Sequence, residues 1–172
     1  MHLKQLKTSD LETVSFWLSQ EKNYQWLDFG NGTQKISAPV LKLMLQRKIH
    51  ELRLFTSDES DDPIGLVALS DIDHKFRSAV LWYVLGNTSE ARKKYTSRAA
   101  GEMIDIGFRK LNLNSIYAWT LEHNIGGRKV IENNNFRYIG KRRQCHYING
   151  NAYDRLLYDL LNSEYKMDHH GK

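Results

Sequence analysis

The stretch ARKKYTS, residues 91 to 97, sets three cations immediately ahead of a run that reads as a helix. A helix N-terminus offers unpaired backbone N–H groups and the positive end of the helix dipole, so cations gathered there suggest a cradle for phosphate. Such a loop ordinarily carries glycine, which lets the backbone approach the anion, and this one has none. The plainer reading of the same residues is a basic surface turn. Glu122 closes a strand-like run two residues before Asn124. A carboxylate there could take a proton from an amine if burial raised its pKa, or it could be a solvated strand end. Cys145 and His146 are a nucleophile beside a base, but neighbours on a strand point to opposite faces, so no dyad is expected. His146 or Tyr147 could instead line a cleft.

Other clusters have a chemical and a structural reading. Trp26, Asp28 and Phe29 set two aromatic surfaces beside a carboxylate. They could hold an ammonium or sugar hydroxyls, or plug a core. Asp71, Asp73 and His74 end a strand and read better as a hairpin loop than as an amine-orienting set. Lys141, Arg142 and Arg143 could receive an anionic substrate, with a solvated charge run as the default. The paired histidines of KMDHHGK have no further ligand set, so residues 166–172 read as a disordered tail and no metal is expected.

The elements that must position these residues follow from periodicity. SDLETVSFWLSQ puts Leu11, Val14, Trp17 and Leu18 on one helical face, with Ser9 and Glu12 spaced as a capping box. SAPVLKLMLQRKI repeats the pattern, with Ser37 as cap and Pro39 early in the helix. HLKQL, LRLFT, IGLVALSDID and RSAVLWYVLG read as strands, and the acidic SDESDDP joins the middle two as a hairpin loop. Ala100, Met103, Ile104, Gly107, Phe108 and Leu111 mark a packed helix after the basic loop, capped by Thr96 or Ser97. SIYAWTL is a strand, GGRKVIENN a short helix, and the last two strands meet at Asn149-Gly150, which suits a type I′ turn. The order β-α-α-β-β-β-α-β-α-β-β implies an α/β (α+β) fold, with a mixed, mostly antiparallel sheet and helices on both faces.

Composition bounds the partners. A chain of 172 residues suits one domain, expected over residues 1–165. The net charge of +5 and a pI near 9.2 leave an anionic partner open. Nucleic acid finds no motif that would place a helix in a groove or aromatics under bases. A single cysteine excludes an internal disulfide and favours a reducing compartment. Residues 1–12 lack a signal-peptide core, and no apolar run reaches membrane-spanning length. The chain therefore reads as cytoplasmic, without a membrane.

The strand ending WYVLG, the loop ARKKYTS with its helix, SIYAWTLEHN and then NIGGRKVIENNNF resemble, in that order and spacing, the GNAT superfamily of acyl-CoA-dependent N-acetyltransferases, most closely its RimJ/RimL-like branch. The resemblance implies about seven strands splayed between the fourth and fifth. It also implies acetyl-CoA, or another acyl-CoA, as co-substrate. Val84, Leu85 and Gly86 would then line the pantetheine, with backbone pairing near Val84 and Gly86. Arg92, Lys93, Lys94, Tyr95, Thr96 and Ser97 would take the pyrophosphate, with Asn124 and Arg128 beside the cofactor. Trp26, Asp28, Phe29 and His146 would meet the acceptor, an amino sugar, small amine or protein N-terminus. A homodimer remains open.

The chain departs from the family pattern where the chemistry is carried. Lys94 and Thr96 replace the loop's small residues, while Asn135 stands for a helix-ending glycine whose geometry asparagine tolerates. A strand glutamate becomes Val80, a helix tyrosine Ile131, and the branch's alternative serine Gly127. Glu122 is the remaining candidate base. A catalytically inactive module that binds CoA or a partner is the competing reading.

Overall fold

The computed structural model describes residues 1–30 and 32–165; the expected tail lies outside them. The strands are β1 (Leu3–Gln5), β2 (Glu51–Thr56), β3 (Pro63–Asp73), β4 (Ser78–Leu85), β5 (Ser115–Leu121), β6 (Arg137–Ile148) and β7 (Asn151–Leu161). The helices are α1 (Leu11–Ser19), α2 (Glu21–Tyr24), α3 (Ala38–Gln46), α4 (Tyr95–Asp105) and α5 (Ile125–Asn133), and α4 continues as a π-helical turn, Ile106–Lys110. They build a seven-stranded sheet in the order β1-β2-β3-β4-β5-β7-β6. Every neighbouring pair is antiparallel except β4–β5.

The apolar spacing divides the core between the two faces. Leu11, Val14, Trp17 and Leu18 of α1 join Leu41 and Met44 of α3 against Leu52, Leu54, Leu66 and Val84. On the opposite face Ala99, Ala100, Met103 and Ile104 of α4 and Val130 and Ile131 of α5 pack on Val67, Leu69, Leu81, Ile116 and Ala118. Alternation along a strand makes both cores from one sheet.

Helix starts differ from expectation. Asp10, not Ser9, precedes α1, and its carboxylate accepts from Lys7 N–H at 2.8 Å. Ser37 begins α3 through its carbonyl, which accepts from Leu41 N–H, and its hydroxyl makes no capping bond. Lys94 caps α4, so Thr96 and Ser97 lie within the first turn. Asp73 accepts from Lys75 and Phe76 N–H, both at 2.8 Å, which makes it the hairpin-loop residue expected. Asn149 and Gly150 both hold positive φ, 49° and 80°, as a type I′ turn requires.

Gly86 follows β4 directly, under the indole of Trp17. A Cβ there would stand 2.2 Å from Trp17 Cδ2. Gly86→Ala should therefore cost about 1–3 kcal/mol through overpacking, read as a lower midpoint of thermal unfolding. An unchanged midpoint would mean that α1 is not seated on β4 in this way.

Candidate active site

The one parallel pair is short. β4 and β5 pair at Ser78–Ser115, Ala79–Ile116 and Val80–Tyr117, and no further. Beyond Val80 the strands separate, β4 still held by β3 and β5 by β7. Gly86 N–H donates to Ile64 O at 2.8 Å, in register with Leu66 opposite Val84. Hydrogen-bonded pairs alternate along an antiparallel ladder, so Val84 and Gly86 direct their backbone groups to β3. The groups that face the opening are those of Tyr83 and Leu85. The expected pairing near Val84 and Gly86 thus shifts by one residue, because β3 already uses theirs.

The loop at the mouth of the opening has glycine-like backbone without glycine. Arg92 and Lys94 sit at φ 70° and 63°. The left-handed positions are therefore 92 and 94, and Thr96 is helical. Arg98 N–H is the first in α4 to bond a helix carbonyl, Lys94 O at 3.0 Å. The backbone N–H groups of residues 92–97 donate to no partner among the described residues. Arg92, Lys93 and Lys94 are exposed, Lys93 pairing with Glu90 at 3.0 Å. Tyr95 is buried and its hydroxyl donates to Glu59 at 2.7 Å, which fixes α4 to the acidic loop before β3. Ser97 is tied to the end of α5, its hydroxyl accepting from Asn133 at 3.3 Å and its carbonyl from Asn134 at 3.0 Å. A strand edge with unspent backbone groups, leading to a cationic nest of N–H groups, suits an extended amide chain ending in a pyrophosphate.

Asn124 caps α5, its side-chain oxygen accepting from Gly127 N–H at 2.9 Å. Arg128 pairs with Glu132 at 3.1 Å on the helix surface. Tyr83 reaches across from β4, its hydroxyl donating to Gly127 O at 2.7 Å, and burial pushes that phenol far above its ordinary value. Asn135 holds φ 60°, the conformation asked of it. Glu122 is exposed at the end of β5, so the burial that would have made it a base is not there.

The opposite face of the opening is filled by a network of which only part was foreseen. Arg155 of β7 is 8% exposed and stacks on Trp119 of β5, its guanidinium carbon 4.1 Å from the ring centre. It donates to Asp28 at 2.5 Å and to His146 Nδ1 at 2.9 Å. Asp28 Oδ1 accepts from Gly30 N–H at 2.9 Å. His146 Nε2 lies 2.7 Å from Gln25 O, which can only accept, so the ring carries its proton on Nε2 and accepts at Nδ1. Burial is the largest influence and would raise the Asp28 carboxyl, but the bonds from Arg155 and Gly30 and the nearby charges of Arg155 and His146 together leave its pKa below the ordinary value. Burial, with Arg155 adding to it, holds His146 below its ordinary value. Phe29 packs edge-on against Trp82, centroids 5.0 Å apart, on the β4 arm. Trp26 is half-buried in the same loop. Asp28 and His146 are thus brought together, but through Arg155, which no motif announced. The signal was an arginine among apolar strand residues in NAYDRLLYDLL. Cys145 points away, its thiol donating to Arg142 O at 3.3 Å.

Residues 1–137 match the acetyltransferase (GNAT) domain family. An uncharacterised N-acetyltransferase p20 of Bacillus licheniformis is 32% identical over 107 residues, 62% of this chain and 60% of that protein. A putative ribosomal N-acetyltransferase, YdaF, of Bacillus subtilis is 29% identical over 59% of this chain and 55% of its own length. The alignment thus spans little more than half of each of these relatives. Among solved structures, a spermidine N-acetyltransferase of Vibrio cholerae holding CoA and spermine superposes with a TM-score of 0.81 at 20% identity, covering 95% of this chain and 96% of that one.

Lys94→Gly should stabilise the protein by about 1 kcal/mol, since glycine relieves the left-handed strain of a side chain. A lower unfolding midpoint would place that residue in another conformation. For His146 the folded pKa lies below the ordinary 6.5. Its contribution is then complete above 6.5 and is lost as pH falls through the lowered value, because the unfolded chain binds the proton first. His50 is lowered by burial as well and acts with the same sign. In urea titrations at stepped pH, His146→Gln should show a shallower acid loss of stability than the unsubstituted protein. Equal slopes would remove His146 from the network.

Proposed function

The chain belongs to the GNAT acetyltransferase family, and from that premise we propose that it is an N-acetyltransferase that moves an acyl group from acetyl-CoA to a primary amine by direct attack. The observation that carries this reading is the early end of β4–β5 pairing, which opens one gap to both faces of the sheet. Leu81, Tyr83 and Leu85 share a face with Ile116, Ala118 and Thr120, toward α4 and α5. Trp82 and Val84 share the other with Trp119, Arg155 and the loop before α3. Acyl-CoA supplies an activated thioester. The N–H groups of residues 92–97 hold its pyrophosphate, and the β4 edge at Tyr83 and Leu85 aligns its amide chain. The amine approaches from the Trp82 and Trp119 side, and the two substrates meet through the gap.

For the acceptor, Asp28 is informative. Both its oxygens are already bonded, to Gly30 and Arg155. Its charge is already paired with Arg155, and Arg142 and Arg143 are exposed nearby on β6. We therefore favour an amine without further cationic centres, a protein N-terminus or an amino sugar, over a polyamine.

A second reading rests on Val80, Ile131 and Gly127, which stand where a base or acid would be expected. It is a module of the same fold that binds CoA without transferring from it. Calorimetry with acetyl-CoA and thiol release across a panel of an acidic peptide, glucosamine and spermidine separate the two. Thiol release with the peptide or the amino sugar, and little with spermidine, is expected. Binding without release under any acceptor would establish the module instead, and no binding at high micromolar acetyl-CoA would overturn both.

A further inference from the structure

We propose that the hydroxyl of Thr120 faces the thioester sulfur of the acyl donor and hydrogen-bonds the departing thiolate, an inference that rests on the acyltransferase reading above. Thr120 stands on β5 beyond the last pair with β4, on the face toward α5. It is 3% exposed, and its Oγ1 has no hydrogen-bond partner among the described residues. A buried hydroxyl without a partner is costly and rare, and its position beside the open strand edge points to a partner that arrives with the substrate.

The surroundings single it out. Gly127 faces it across the first turn of α5, where a Cβ would stand 2.9 Å from Thr120 Oγ1 and 2.7 Å from Asn124 Nδ2. A serine at position 127 would therefore crowd the space that the Thr120 hydroxyl already reaches. The hydroxyl comes from the strand and not from the helix. Tyr83 also brings a hydroxyl to this face, and its proton is already given to Gly127 O at 2.7 Å.

The chemistry balances without a dedicated acid. The amine nitrogen bonds the acyl carbon as the C–S bond breaks, and that bond's electron pair goes to sulfur. The amine's surplus proton passes to water. A threonine hydroxyl is a weaker acid than a thiol, so Thr120 keeps its proton and donates a hydrogen bond, while the thiolate takes its proton from solvent. Hydrogen bonds to a charged acceptor are the strong ones, which favours the leaving group over the intact thioester.

Free CoA reads this contact without any acceptor. Its thiol, bound to the protein, is titrated by thiolate absorbance. Burial raises the phenols of Tyr83 and of Tyr158 beside it, and Arg128 and Glu132 pair at 3.1 Å; the same titration without CoA subtracts the protein's own groups. The bound thiol is expected to ionise at lower pH than free CoA. Thr120→Val should weaken that ionisation roughly tenfold, the worth of one hydrogen bond to a charged group. Its CoA affinity at a pH where the thiol is protonated should not change. Thr120→Ser should retain the shift. Because valine replaces an unpartnered hydroxyl by a methyl, the unfolding midpoint of Thr120→Val should hold or rise. A folded Thr120→Val whose bound thiol titrates as in the unsubstituted protein, or a Thr120→Ser that loses the shift, would overturn the assignment and leave the acyltransferase reading standing. Failure of the unsubstituted protein to bind CoA would remove that reading and this inference with it.

Discussion

Three residue pairs decide the architecture of this protein: Ser78–Ser115, Ala79–Ile116 and Val80–Tyr117. Parallel pairing joins the two halves of the sheet there, and its end at Val80 lets β4 follow β3 while β5 follows β7. A sheet that stayed paired would be a wall between two hydrophobic cores. Parted, it leaves backbone groups of Tyr83 and Leu85 unspent, and unspent backbone groups in a half-buried place call for a partner. The right-handed twist that every strand carries favours such divergence once hydrogen bonds stop enforcing contact. The side chains on the two faces differ accordingly. Toward α4 and α5 the face carries the hydroxyls of Tyr83 and Thr120 among apolar side chains; the other face carries the aromatic rings of Trp82 and Trp119.

The loop before α4 shows how a local conformation survives the loss of its usual residue. Arg92 and Lys94 hold left-handed backbone that would cost glycine nothing and costs a side chain about 1–2 kcal/mol each. The surroundings impose it: Tyr95 is buried and tethered to Glu59, and Ser97 is tied to Asn133 and Asn134. With both ends of the turn fixed, the chain between them has little choice. What is gained is positive charge on the nest itself, since two of the three cations occupy the left-handed positions. Strain held in this way is characteristic of binding sites.

Much of this was legible in the sequence, and the rest was not for identifiable reasons. Period-3.6 and period-2 patterning marks the core helices and central strands because each buries a face against a large apolar area, whereas β6, exposed over most of its length, is marked by the Asn149-Gly150 turn that follows it. Asn149-Gly150 and Asn135 declared their turns because few residues tolerate positive φ. Helix caps were less legible: Ser37 stands at the start of α3 as expected, but α1 starts after Asp10 and not Ser9, and α4 after Lys94 and not Thr96 or Ser97. For Glu122 a position near a strand end says nothing about burial, and the side chain is exposed. Arg155 was missed for the converse reason. It sits 127 residues from Asp28, and its pairing depends on a tertiary contact that no local pattern records. The pairing at Val84 and Gly86 was placed one residue off because strand register, and hence which carbonyls β3 consumes, is invisible before the neighbours are known.

The Asp28–Arg155–His146 network also bears on how an amine would lose its proton here. Asp28 and Arg155 cancel in charge, and His146 is held neutral with its accepting nitrogen already bonded to Arg155. From these residues the face therefore presents a carboxylate whose charge is already paired and no unspent imidazole nitrogen. An ammonium brought against Trp119 would shed water, gain no paired anion and meet a guanidinium 4.1 Å from the same ring. Each of these disfavours the charged form, and desolvation beside a like charge lowers an amine's pKa. On the acyltransferase reading proposed above, such an environment would favour the neutral amine, with water as the proton acceptor. The absence of glutamate at Val80 then ceases to be a defect: a carboxylate there would hold the ammonium in its charged, unreactive form as readily as it would deprotonate it.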